Sequence, residues 1–206
     1  MKPSELQKAL DARLMKRLEP LGWEYRSGEI RFRCDNGDCF KYGVAPLARA
    51  YLSCYPTAYL HVAKVMQAAA RIEGERYRSC DGTTAFVEIK DLMETGGEEI
   101  IRLYSVSDIE RNVDKMAEEL LESGVPWMQK MRSPETLAKF AMSGQSPPLM
   151  PDALVRTLAI FLGGFPREAS EFLDMHLEKN RRGTGGVDIL EYEPALKEFL
   201  SNPQGS

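Results

Sequence analysis

The chain has 206 residues, 43% of them hydrophobic and 28% charged, with a formal net charge of −4. This is a globular composition, with enough apolar residues to build a core without metal or disulfides. The acidic balance speaks against a general nucleic-acid binder, which needs surplus Lys and Arg to neutralise phosphates.

The first 18 residues lack a continuous apolar core and a small-residue cleavage site, so they do not read as a signal peptide. They read as an amphipathic helix. Ser4 and Gln7 have the spacing of a capping box, and Leu6, Leu10, Leu14 and Leu18 fall at intervals of four. Pro20 and Gly22 end it.

Residues 23–26 and 29–32 flank Ser27-Gly28, a two-residue hairpin turn. Pairing across that turn sets Arg26 against Glu29, Tyr25 against Ile30, Glu24 against Arg31 and Trp23 against Phe32. One face becomes aromatic and apolar, the other a set of opposite charges, and both patterns require the same register. At the next turn, a two-residue Asn36-Gly37 loop would throw Phe40, Tyr42 and Val44 onto the charged face. A three-residue loop, Asp35-Asn36-Gly37 with Gly37 left-handed, sets Phe40 against Phe32 and Tyr42 against Ile30. It also separates Cys34 from Cys39, so no disulfide is expected there.

Residues 46–60 are ambiguous between short strands and irregular structure. From Tyr59 a helical stripe runs through Val62, Ala63, Met66, Ala69 and Ala70 to Gly74. Residues 83–89 read as a strand, and Gly96-Gly97 turns into another at 100–104. Ser107 and Glu110 have capping-box spacing ahead of the stripe Ile109, Val113, Met116, Leu120 and Leu121, with Gly124 and Pro126 as stop signals. Ser133-Pro134-Glu135 caps a short helix to about residue 142. The Ser/Pro/Gly-rich stretch 143–151 is a linker by composition. Two helices, 152–162 and 166–180, follow around Gly163-Gly164. Leu154, Leu158, Phe161, Ala169, Phe172, Leu173 and Leu177 can close them as a hairpin. Residues 194–200 read as a last helix.

Candidate chemistry is sparse. The glycine clusters match neither a P-loop nor a dinucleotide fingerprint. Cys34, Cys39, Cys54 and Cys80 lack the spacing of a structural zinc site, and Asp35-Asn36-Gly37-Asp38 lacks the terminal glutamate of a calcium loop. His61 could serve as a base toward Cys54 or Cys80, although no local signature supports that pair. Arg26, Arg31 and Arg33, with Lys41, share the polar face of the meander. They read either as a solvated face or as a docking patch for an acidic partner.

An amphipathic helix leading into Leu21-Gly22-Trp23, a meander, a later strand, a capped helix, and the run from Gly124-Val125-Pro126-Trp127 to Ser133-Pro134-Glu135 make up one layout. Over roughly residues 5–140 it resembles a family of uncharacterised small bacterial domains of unknown function. The resemblance implies an α+β domain found beside variable partners. It supplies no active site to carry over, and the long C-terminal helical part departs from it.

The expected fold is α+β. A mostly antiparallel sheet packs helices 5–19 and 108–123 on one face in a domain of residues 1–142. Residues 143–151 link it to a helical subdomain, 152–206. No run approaches the roughly 18 apolar residues that span a bilayer, so the expected compartment is the cytoplasm, with reduced thiols and no cofactor. The expected function is a protein-binding module, such as an immunity or adaptor protein docking through Arg31, Arg33 and Lys41. Its expected partner is another protein rather than nucleic acid or membrane, bound by a monomer or dimer. The alternative is a small hydrolase or transferase with a site around His61 and a nearby cysteine.

Overall fold

The computed structural model describes residues 2–26, 28–44, 47–48, 51–73, 82–93, 100–144, 150, 152–183 and 189–202. The fold is α+β. The chain forms two compact units, each made of two segments: Met1–Leu60 with Phe86–Gln129, and His61–Ala85 with Lys130–Ser206. The expected division placed a linker at 143–151; the contacts group the chain differently. The second unit takes in residues 61–85 as well as the C-terminal helices.

In the first unit, helix α1 (Pro3–Leu18) buries Leu6, Leu10, Leu14 and Leu18 completely. Its start differs from the Ser4–Gln7 capping box. Lys2 is the cap, and its backbone N–H donates to Glu5 at 2.8 Å with no side-chain cap. Packing therefore holds this helix more than capping does. Four buried leucines contribute about 1.5–3 kcal/mol each, against about 1 kcal/mol for a good cap.

Strands β1 (Glu24–Arg26), β2 (Glu29–Arg33) and β3 (Cys39–Val44) form an antiparallel meander. Both expected registers are present. Glu24 pairs with Arg31, Tyr25 with Ile30, Phe32 with Phe40 and Ile30 with Tyr42. Gly37 has φ +84° in the three-residue turn, and Cys34, Cys39 and Cys54 are free thiols. Trp23, Phe32 and Phe40 form a file of rings at centroid spacings of 5.8 and 6.0 Å.

Three further strands precede the next helix. Short β4 (Leu47–Ala48) and β5 (Leu52–Cys54) belong to a second sheet, while β6 (Pro56–His61) joins the meander. The expected helix from Tyr59 is thus overturned at its start: 59–61 are strand, and α2 runs Ala63–Glu73. Almost every residue of β6 is buried. A strand covered on both faces loses its polar alternation and cannot be told from a buried helix by periodicity.

Strand β7 (Ala85–Glu88) completes a five-stranded sheet ordered β1-β2-β3-β6-β7. Strand β8 (Ile101–Leu103) pairs antiparallel with β5 in the small sheet β4-β5-β8. The expected turn at Gly96-Gly97 lies outside the described residues.

Helix α3 (Val106–Glu119) buries Ile109, Val113, Met116 and Ala117 and packs on α1. The pairs Arg13–Glu110 and Arg17–Asp114 run along its surface. Ser105, two residues before the expected Ser107, is the cap, and Asp108 closes the box. Gly124 and Pro126 do not stop the chain. A π turn, Leu120–Gly124, feeds directly into α4 (Val125–Met131), with the Val125 N–H bonded back to the Leu120 carbonyl. The wider turn accommodates the proline ring, which would clash with the carbonyl four residues earlier in an α-helix.

In the second unit, α5 (Pro134–Ser143), α6 (Ala153–Leu162), α7 (Pro166–Arg181) and α8 (Glu193–Ser201) form a helical array with α2. Helix α6 is central and packs on α5, α7 and α2. Leu154, Leu158, Ala169, Leu173 and Leu177 are buried as the hairpin pattern requires. The Arg156 guanidinium lies 5.0 Å over the Phe172 ring while its Nε donates to the Ala141 carbonyl. Tyr192 ties residue 192 back to Glu73 of α2 by a 2.7 Å hydrogen bond.

Candidate functional site

The three basic residues singled out in the sequence are separated by burial. Arg31 and Lys41 stand opposite each other on β2 and β3, and each side chain is 4% exposed. Arg33 lies at the sheet surface, 46% exposed, with its Nε 2.8 Å from Glu24. The expectation of a solvated face therefore holds for Arg33 and is corrected for Arg31 and Lys41.

Arg31 donates through Nε and Nη2 to a single oxygen of Glu29, Oε2, at 2.9 and 2.7 Å. Lys41 Nζ is 3.5 Å from the same oxygen, too far for a good hydrogen bond, and it has no hydrogen-bond partner among the described residues. Glu29 itself is 41% exposed. Beside them the Tyr59 ring presses on Gly43, where a Cβ would come within 2.6 Å of it, and stacks on Phe86. Burial pushes the Tyr59 hydroxyl up, a hydrogen bond with Thr57 works against this, and the charges of Glu29 and Glu88 push it further.

Of the residues of the enzymatic alternative, Cys54 is not poised for nucleophilic chemistry. Cys54 is fully buried in β5, and burial pushes its thiol up to about 12. A nucleophilic cysteine needs the opposite shift. His61 ends β6 with Nδ1 2.9 Å from the Gly82 carbonyl, so that nitrogen carries the proton and donates. Cys80 lies outside the described residues. His176, half-buried on α7, has its pKa lowered by burial first and then by Lys179 and Arg156.

A different feature stands out on the small sheet. The Leu52–Leu103 rung carries the ladder on to Tyr51 opposite Tyr104, whose rings lie 5.0 Å apart. Tyr104 is 58% exposed. Its backbone is pinned, because the Tyr104 and Ser105 N–H groups and the Ser105 hydroxyl all donate to Asp108 Oδ2 at 2.9–3.0 Å. Arg111 pairs with the other oxygen. The Ser105 hydroxyl, the Tyr104 N–H and Arg111 hold the Asp108 carboxyl below its ordinary range. Alternation along β8 turns Ile101 and Leu103 inward and Arg102 and Tyr104 outward. Arg102 has no carboxylate partner among the described residues. The sequence held half of this signal, since Arg102 and Tyr104 alternate with buried neighbours. Tyr51 fell in the stretch that could not be assigned.

Comparison with protein-family models, with curated proteins and with solved structures finds no match. Among the described residues no group of three His, Cys, Asp or Glu is placed to hold a metal ion, and no helix is long and apolar enough to cross a membrane.

Proposed function

We propose that this chain is a protein-binding module, of the adaptor or immunity type, that docks an acidic partner protein on the outer face of its small sheet. The observation that carries this reading is the exposed, backbone-pinned Tyr104, its ring against the half-buried Tyr51, with Arg102 on the same face. Tyrosine and arginine supply most of the energy at protein interfaces, and side chains already held in place lose little entropy on binding. The rings offer apolar area to a partner side chain. The Arg102 guanidinium offers a bidentate contact to a partner carboxylate. The hydrolase or transferase alternative draws no support from Cys54, whose thiol is held protonated.

The test is capture of the partner from the native host by the intact chain, compared with Tyr104→Ala and Arg102→Glu. Each substitution removes a surface group and leaves the core intact, so far-ultraviolet circular dichroism stays unchanged. Each is expected to weaken the complex by about 30-fold or more, the scale of a hot spot near 2 kcal/mol. Undiminished capture by both variants would sink the proposal.

A further inference from the structure

The polar face of the large sheet holds an arrangement that the fold alone does not require. Two cations, Arg31 and Lys41, stand directly opposite on neighbouring strands and are buried. Like charges across a ladder oppose each other, and a buried ammonium without a hydrogen bond is costly. The side chain does not relieve this cost by reaching solvent, because its Nζ is itself buried. A methionine would fill the same volume without the charge. Glu29 is the half-exposed member of the group. Its Oε2 takes both hydrogen bonds from Arg31, and the same atom stands 3.5 Å from Lys41. One carboxylate oxygen is thus set between two buried cations and satisfies only one of them.

We infer that Lys41 anchors a binding site for a small oxyanion, a carboxylate or a phosphate, with Glu29 occupying the position of the ligand's oxygen. The route in is the one Glu29 opens to solvent. An incoming oxyanion displaces the Glu29 carboxylate outward. It gives the Lys41 ammonium the hydrogen bond it lacks and can accept from Arg31 through a second oxygen. Gly43, under the Tyr59 ring, keeps the neighbouring position of β3 free of a side chain. The site lies on a different sheet from the tyrosine pair and does not depend on the docking reading.

The experiment is thermal unfolding of the intact protein in inorganic phosphate, and separately in malonate, at ionic strength matched with chloride. Wild type, Glu29→Gln, Lys41→Met and Tyr104→Ala are compared. The wild type is expected to gain about 3 °C in Tm when the anion exceeds its Kd about tenfold. Glu29→Gln, without the competing carboxylate, should reach half its gain at roughly tenfold lower anion. Lys41→Met should show only the general salting effect that all the variants share. Tyr104→Ala should respond like the wild type. A response to phosphate alone or to malonate alone identifies the oxyanion. No response to either in the wild type and Glu29→Gln overturns the inference. So does an unchanged half-saturation in Glu29→Gln, and so does a full response in Lys41→Met. Where Lys41→Met does not fold, the comparison of Glu29→Gln with the wild type decides.

Discussion

Cys54 sits at 0% exposure between the helices and strands of the first unit, and its chemistry follows from that burial. Its thiol is pushed up to about 12 from an ordinary value near 9. The folded chain therefore keeps this proton through a range where the unfolded chain releases it. Stability is full below about pH 9 and declines as pH rises toward 12. The buried Tyr42 hydroxyl is also pushed up, first by burial and then by Cys54 and Glu119, and it adds a decline of the same sign at higher pH. Urea midpoints measured from pH 8 to 10.5 should fall, and Cys54→Val should flatten the first part of that fall. An unchanged slope in the variant would show that the thiol does not control it. At this scale the sequence was a good guide to pairs and a poor one to environments. The pattern placed Lys41 opposite Arg31, as observed. It could not show that both would be buried, because burial depends on what the rest of the chain lays over them.

Among elements, the meander was the most legible because three constraints converge on it. Alternation, charge pairing and a left-handed glycine at Gly37 each exclude a one-residue slip. Helix starts were less legible. Ser107 and Ser105 both precede an acidic residue by three positions, and the choice between them rests on where β8 releases the chain. The π turn at Leu120–Gly124 left no sequence signal beyond a glycine and a proline, which ordinarily mean a stop. Gly124 serves there as a close-packing site, since a Cβ would meet Leu120, Ala58 and Ile89. Gly163 has the same function at the corner after α6. A Cβ there would overlap the Ala138 side chain and come within 2.6 Å of the Pro134 carbonyl oxygen. Gly163→Ala is therefore expected to cost at least about 2 kcal/mol in a denaturant titration. The neighbouring Gly164 meets nothing within 4 Å but has φ +96°, so Gly164→Ala should cost only about 1 kcal/mol of backbone strain. Equal losses at the two sites would contradict this assignment.

The division of the whole molecule was the least legible feature, because composition marks linkers and not the paths by which a chain returns. The Ser/Pro/Gly stretch at 143–151 looked like a boundary, yet α5 before it and α6 after it pack together in one unit. Helix α2, buried at Val65, Met66, Ala68 and Ala69, packs on α6. A fragment of residues 1–142 therefore keeps α2 and loses what covers it. That fragment should bind a hydrophobic dye and aggregate, and a soluble monomer with cooperative melting would refute this. The same arrangement sets a schedule during synthesis. α2 ends at Glu73 and α6 begins at Ala153, about 80 residues later. At ribosomal speeds of about 5–20 residues per second, the apolar side of α2 waits about 4–16 s for its partner. Over that interval the nascent chain carries an alanine-rich helix whose apolar side lacks the cover that α6 later provides.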